Sequence, residues 1–391
     1  MYSLGVSVHK ARSVGSLVVA GLTLSAVACS VSPADPAADQ AETSTTSASQ
    51  SAQSEETTSP RPSVGPTKPS KPPTPTNSTK PVRIAFAGDV HFAGSLESRL
   101  DDPATAMGPL TKRLTNADLA MVNLETAVTT RGVPQPKDYV FRAPPVVFDA
   151  LTSAGIDVVS MANNHGLDYG PVSVPDALTA ARHAGMPVVG IGRNAGQAFR
   201  PWVTTVHGQR IAFLAATAVV DASLVASWSA GDDQAGVATA LDGDNAALVA
   251  AIRAVRPHVD TVIVDMHYGS DLMACPTEIQ RAVADDAVRA GADVVVGQHA
   301  HVLLGGGYMG SAYVHYGLGN FQFYSSGGQT AETGVLELTV DGHRVTHPTW
   351  TPGQLEGGLP TALEGVAADE ALARWNGLQD CTGLRAAPAP G

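Results

Sequence analysis

Seven short apolar runs, at residues 82–87, 119–122, 156–161, 187–191, 211–215, 261–265 and 293–296, are rich in strand formers and bounded by polar turns. Helix-like stretches at 145–154, 174–184, 246–255 and 277–290 lie between several of them. Strands and helices in alternation bury best as a largely parallel sheet with helices on its faces, so the chain reads as α/β. Three later runs, 312–316, 334–340 and 343–350, have no helix between them and predict a closing antiparallel portion. No fixed-period repeat is present, which excludes solenoids and propellers.

The first 80 residues follow a different rule. Lys10 and Arg12 precede an apolar run at 14–28, and Ala26-Val27-Ala28 stands directly before Cys29, which is the plan of a secretory signal peptide at 1–28. The run is shorter than the ~20 residues a membrane-spanning helix needs. Ala26 and Ala28 suit ordinary cleavage and a plain secreted product, whereas a Cys at the cut suits lipid attachment; the reading favours a lipoprotein anchored to the membrane through Cys29. Residues 29–80 are built from Ser, Thr, Pro, Ala, Gln and Glu, too poor in apolar side chains to offset the entropy of ordering, and read as a disordered stalk. The remaining chain is long enough for one large domain at 81–350, with 351–391 expected to pack on it as a C-terminal segment.

Charge narrows the partners. A formal net charge of −12 argues against nucleic acid, which demands a basic footprint. Cys29 being assigned to the anchor, Cys275 and Cys381 are left available for a disulfide in an exported, oxidising setting; two free thiols are the competing reading.

Chemistry-bearing residues cluster where the apolar runs end. Asp89 and His91 follow the first run, Asn123 and Glu125 the second, Asn163, Asn164 and His165 the third; His267 follows 261–265, and Gln298, His299 and His301 follow 293–296. In open α/β sheets ligands bind beyond the carboxyl ends of the strands, so these five clusters are expected to converge. Imidazole, carboxylate and amide without thiolate suit Zn, Fe or Mn better than Ca or Mg. Glu125 is the candidate bridge between two cations at the ~3.5–4 Å spacing of two-metal hydrolysis. A single Asp-x-His or a lone His is more often structural than ligating; five clusters in register reverse that weighting. His183, His207, His258, His343 and His347 read as ordinary residues.

The ordered set Gly88-Asp89-Val90-His91, Asn123-Leu124-Glu125, Asn163-Asn164-His165-Gly166-Leu167-Asp168-Tyr169-Gly170, His267-Tyr268-Gly269-Ser270-Asp271, Gly297-Gln298-His299-Ala300-His301 and Leu318-Gly319-Asn320-Phe321 resembles the CapA family, named for poly-γ-glutamate capsule synthesis. That family is similar to the calcineurin-like metallophosphoesterases, which implies a sandwich of two mixed β-sheets flanked by helices. Carried over by residue, the resemblance implies that Asp89, His91 and His301 hold one metal and Asn164, His267 and His299 the other, with Glu125 between them and His165 protonating the leaving group. Many relatives carry Met in place of His91, and Glu125 stands where phosphoesterases have Asp.

Two functions follow as expectations. One is a metal-dependent hydrolase: two cations bring more positive charge than Asp89 and Glu125 neutralise, drawing in a phosphoester or the carboxylate-rich poly-γ-glutamate chain. The other is a non-catalytic surface protein that binds or exports an anionic polymer, against which the acidic chain would repel within a Debye length of ~8 Å.

Overall fold

The computed structural model describes residues 79–241, 245–324 and 327–389. The signal peptide, Cys29 and all but the last two residues of the predicted stalk lie outside them. Among the described residues no helix is long and apolar enough to cross a membrane.

The strands of the two large sheets, in chain order, are β1 (Val82–Val90), β2 (Leu119–Leu124), β3 (Val158–Ser160), β4 (Val188–Val189), β5 (Trp202–Val206), β6 (Gln209–Thr217), β7 (Thr261–Tyr268), β8 (Val294–His299), β9 (Gly306–Met309), β10 (Ala312–His315), β11 (Asn320–Gln322), β12 (Glu332–Asp341), β13 (Arg344–Glu356) and β14 (Leu359–Ala362). The longer helices are α1 (Val147–Ser153), α2 (Ser173–Ala184), α3 (Ala246–Val255), α4 (Glu278–Ala290) and α5 (Gly365–Gly377).

The first sheet runs β14-β13-β12-β1-β2-β3-β4, with β11 also pairing β1. Its β1 to β4 half is parallel and its β12 to β14 half antiparallel. The second runs β9-β10-β8-β7-β6-β5, parallel at its centre and closed by an antiparallel strand at each edge. Both sheets are mixed and carry helices, as the resemblance implied.

Side-chain alternation builds the layers. Val82, Ile84 and Phe86 of β1 and Leu119 and Met121 of β2 share one buried cluster with Ile263, Val294 and Val296 of the other sheet. The alternate residues Ala85, Ala87, Ala120 and Val122 face a cluster built with Val147, Phe148, Val174 and Ala177 of α1 and α2. Val262, Val264 and Val295 likewise meet Leu248, Ile252, Val283 and Ala287 of α3 and α4. Strands buried on both faces must be apolar throughout, which is why they read as continuous runs. Helix α4 starts on a capping box in which Thr277 accepts from the Gln280 amide and Gln280 from that of Thr277, and it stops at Gly291 with φ 116°.

One border is redrawn and one strand is added. The border drawn at residue 350 falls inside β13, and β14 extends the same sheet, so 351–362 belong to the domain core rather than to an appended segment. The strand β5 was not foreseen; its residues are only half-buried or exposed, and it pairs at the edge of the second sheet. The structure joins Cys275 to Cys381, with Cα atoms 5.7 Å apart, tying the chain after α5 to the loop following β7.

Candidate metal centre

The carboxyl ends of β1, β2, β7 and β8 meet where the two sheets face each other. Two glycines permit that approach: a Cβ on Gly88 would lie 1.9 Å from the Gly319 carbonyl oxygen, and one on Gly297 would lie 2.1 Å from that of Tyr316. The segment 316–320 therefore passes against both strand ends, and the Asp89 amide donates to the Gly319 carbonyl at 2.9 Å.

Glu125 is at the centre. It is fully buried, and neither carboxylate oxygen has a hydrogen-bond partner. Three imidazole nitrogens surround Oε1: His267 Nε2 at 3.4 Å, His165 Nε2 at 3.9 Å and His301 Nε2 at 4.0 Å. Ligand atoms of Glu125, His299 and His301 lie within 4.8 Å of one another. His267 Nε2 is also 2.7 Å from Asn164 Oδ1, so that amide oxygen, the imidazole and Glu125 share one corner. A buried carboxylate without a donor costs several kcal/mol, and this donor set fits divalent cations.

Asp89 serves differently. Its Oδ1 accepts from Asn123 Nδ2 at 2.8 Å, and its Oδ2 accepts from the His299 amide at 3.1 Å and faces His301 Nδ1 at 3.4 Å. Asp89 is thus placed beside the ligand atoms with its oxygens already engaged. His91 is engaged elsewhere. Its Nδ1 accepts from the Ala93 amide at 3.0 Å, its Nε2 lies 3.4 Å from the Tyr324 amide, and its ring stacks on Phe141 at 4.5 Å. Of the predicted ligands, Glu125, Asn164, His267, His299 and His301 converge, Asp89 braces them, and no nitrogen of His91 joins the group.

His165 occupies its own corner. Its Nδ1 donates to Asp168 Oδ2 at 2.6 Å, which aims Nε2 at Glu125. Asp168 is in turn held by the Phe141 amide at 2.6 Å and by the buried Lys137 ammonium at 3.0 Å. Lys137 also donates to the Asn164 carbonyl.

Burial and neighbouring charges set the protonation of the cluster. Burial pushes His91, His165 and His267 down to about 3, so these rings stand neutral. Burial, reinforced by the Asp89 carboxylate, raises Glu125. Burial also works against charge on His301, yet Glu125 and the contacts with Asp89 and Asn320 raise it to about 10. A bound cation reverses this balance by favouring ionised Glu125 and neutral imidazole.

The backbone is strained at two histidines of the cluster. His299 has φ 92° and His301 φ 55°, conformations that cost non-glycine residues about 1–3 kcal/mol and persist only when surroundings impose them. The Asp89 contact to the His299 amide and the 2.9 Å bond between His301 Nδ1 and Asn320 Oδ1 impose them here.

Several functional residues were not assigned roles from sequence. Asn123 joins Asp89 to His267 Nδ1, at 2.8 and 3.2 Å, and Asn163 donates to Asn123 Oδ1 at 3.0 Å. Asp168 and Asn320 lay in quoted motifs, and that was their signal. Lys137, in a loop distant in sequence, gave none. Above the cluster opens a cavity of about 470 Å³ whose walls include Tyr139, Phe141, Leu272, Phe323 and Tyr324.

Two facing mixed sheets with outer helices, and a cluster of histidine, carboxylate and amide groups at their strand ends, define an α/β sandwich with a candidate metal centre at its strand ends. The family described as bacterial capsule synthesis protein PGA_cap matches residues 83–325, and the chain belongs to that family. The capsule biosynthesis protein CapA of Bacillus anthracis is 30% identical over 192 residues, 48% of this chain and 45% of that protein. A probable polyglutamine synthesis accessory protein of Mycobacterium tuberculosis is 31% identical over 227 residues, 55% of this chain and 59% of that one. The chain therefore spans about half the length of these curated relatives. A solved phosphatase of Mycoplasma pneumoniae is 13% identical with a TM-score of 0.44, covering 75% of this chain and 97% of its own.

Proposed function

We propose that the chain is a metal-dependent hydrolase of capsule or poly-γ-glutamate synthesis or processing, acting on a γ-glutamyl polymer or a phosphoester, and exported on a lipid anchor at Cys29. The observation that carries the reading is Glu125: a buried carboxylate with both oxygens unpartnered, ringed by imidazole nitrogens. Glu125, Asn164, His267, His299 and His301 would hold two divalent ions, Mn, Fe or Zn. When bound, such ions polarise the scissile group and lower the pKa of water.

The chain's own residues do the rest. Asp168 and Lys137 fix the His165 ring so that Nε2 faces the reacting group, where a protonated imidazole gives its proton to the leaving oxygen or nitrogen. An anionic substrate and the Asp168 carboxylate both favour that imidazolium, opposing the burial that keeps the free ring neutral. Phe141 stacks on His165 at 4.0 Å and excludes water from its face.

Among the described residues the cavity wall carries no lysine or arginine, so side-chain cations give no support to a purely polymer-binding role. Elemental analysis of the purified chain, followed by a screen of phosphoesters and γ-glutamyl polymers, tests the proposal. Bound metal with turnover of either class is expected. Metal without turnover but with polymer retention would select the non-catalytic reading, and absence of metal would refute both uses of the site.

A further inference from the structure

The two nitrogens of His299 stand in opposite situations. Its Nε2 lies 3.3 Å from Oδ1 of Asp271, while its Nδ1 is buried with no hydrogen-bond partner. A neutral imidazole carries one N–H, and the other nitrogen keeps a lone pair. The hydrogen bond made by one nitrogen decides which of the two is left to ligate.

We propose that Asp271 is a positioning residue: it accepts the Nε2–H of His299, fixes that tautomer, and leaves the buried, unpartnered Nδ1 lone pair as the donor free to ligate. The inference rests on the metal reading above and deepens it. It explains an otherwise idle group, because Asp271 is 68% exposed and, among the described residues, has no lysine or arginine within ion-pair distance.

The loop holding Asp271 is fastened on both sides of it. Asp271 follows directly from the carboxyl end of β7 through Gly269, which has φ 115°. The next residue, Leu272, adopts φ 61°, a conformation unfavourable to a branched side chain, and its amide donates to the Ala300 carbonyl at 2.9 Å. Ala300 lies between the two ligand histidines, so this bond sets the loop against the strand end that carries them. Cys275 then closes the loop onto Cys381. A carboxylate, a histidine and a cation in line keep the ring oriented and raise its basicity, and loss of such an outer partner costs about 10- to 100-fold in metal affinity.

The test uses the full chain, as wild type, Asp271→Ala and Asp271→Glu, each checked for an intact disulfide. Zinc affinity is measured by competition with a chromogenic chelator, and the His299 tautomer of the metal-free protein by nitrogen-15 NMR. Asp271→Ala is expected to weaken zinc about 10- to 100-fold, and Asp271→Glu, which keeps a carboxylate acceptor, to recover most of that loss. Wild-type His299 is expected to show a protonated Nε2 and a bare Nδ1. Equal affinity in wild type and Asp271→Ala, or a protonated Nδ1 in the wild type, would overturn the proposal. A wild-type chain that takes up no zinc or other divalent ion would instead sink the metal reading, and the tautomer would still decide whether Asp271 holds the ring.

Discussion

A buried carboxyl without a partner is a liability to the free protein and an asset once a counter-charge arrives, and Glu125 carries both consequences. Glu125→Gln removes the ionisable group at nearly constant shape. It is expected to stabilise the metal-free chain by about 1–3 kcal/mol while lowering its metal content, two opposite shifts that denaturant titration and elemental analysis read separately. His165→Ala, in contrast, is expected to keep its metal and lose about 10²- to 10⁴-fold in turnover. Metal loss in that variant would make His165 a ligand instead. A third buried group lies outside the site: His315 has neither nitrogen hydrogen-bonded, packs beside Trp350 and Trp375 with ring centroids 6.3 and 5.9 Å away, and is pushed by burial down to about 3. The unfolded chain binds this proton near pH 6.5 and the folded chain does not until about 3, so stability is full above 6.5 and falls as pH drops. Replacing His315 with Asn should therefore remove about 2 kcal/mol of the stability difference between pH 8 and pH 5, measured as urea midpoints. A variant as acid-sensitive as wild type would refute it. The same scale shows where sequence reading stopped. That His91 would sit beside Asp89 was legible; that its ring would turn to the Ala93 and Tyr324 amides was not, because the turn is set by packing against Phe141 and Phe323.

Elements were most legible where both faces are buried. Strands β1, β2, β7 and β8 announce themselves because each side of the pleat meets a hydrophobic cluster. Strand β5 escaped because Trp202, Thr204 and Val206 are half-buried and Val203 and Thr205 exposed, leaving a Thr-interrupted run with little apolar signal. The border at 350 failed for another reason: β13 bends through Pro348, Pro352 and Gly353, residues that read as the end of a strand, yet an antiparallel partner on each side holds it together. The disulfide belongs to this scale as well. It spans 106 residues and fastens the segment after α5 to the loop that carries Asp271. Reducing it, or replacing Cys275 and Cys381 with Ser, is expected to cost about 2–5 kcal/mol in guanidinium unfolding; an unchanged midpoint would show that the tie contributes nothing.

For the whole molecule, the candidate site is divided between the sheets. Asp89, Glu125 and Asn164 lie at or beyond the carboxyl ends of strands of the first, and His267, His299 and His301 at or beyond those of the second. Cations held here would clamp the sandwich, so chelation should lower the melting temperature and re-addition of metal restore it, with the size of the shift rising with metal concentration. A melting temperature indifferent to chelator would argue against the clamp. The convergence of these residues was readable because strand ends share one edge, whereas the facing of two separate edges was implied by family resemblance alone. The topology also sets an order of events. Central strand β1 pairs Ile84 with Leu338 of β12, and Asp89 with Asn320 of β11, partners that come late in the chain. Until those residues have been synthesised β1 has only β2 beside it, so the first sheet cannot be completed before most of the chain has been made.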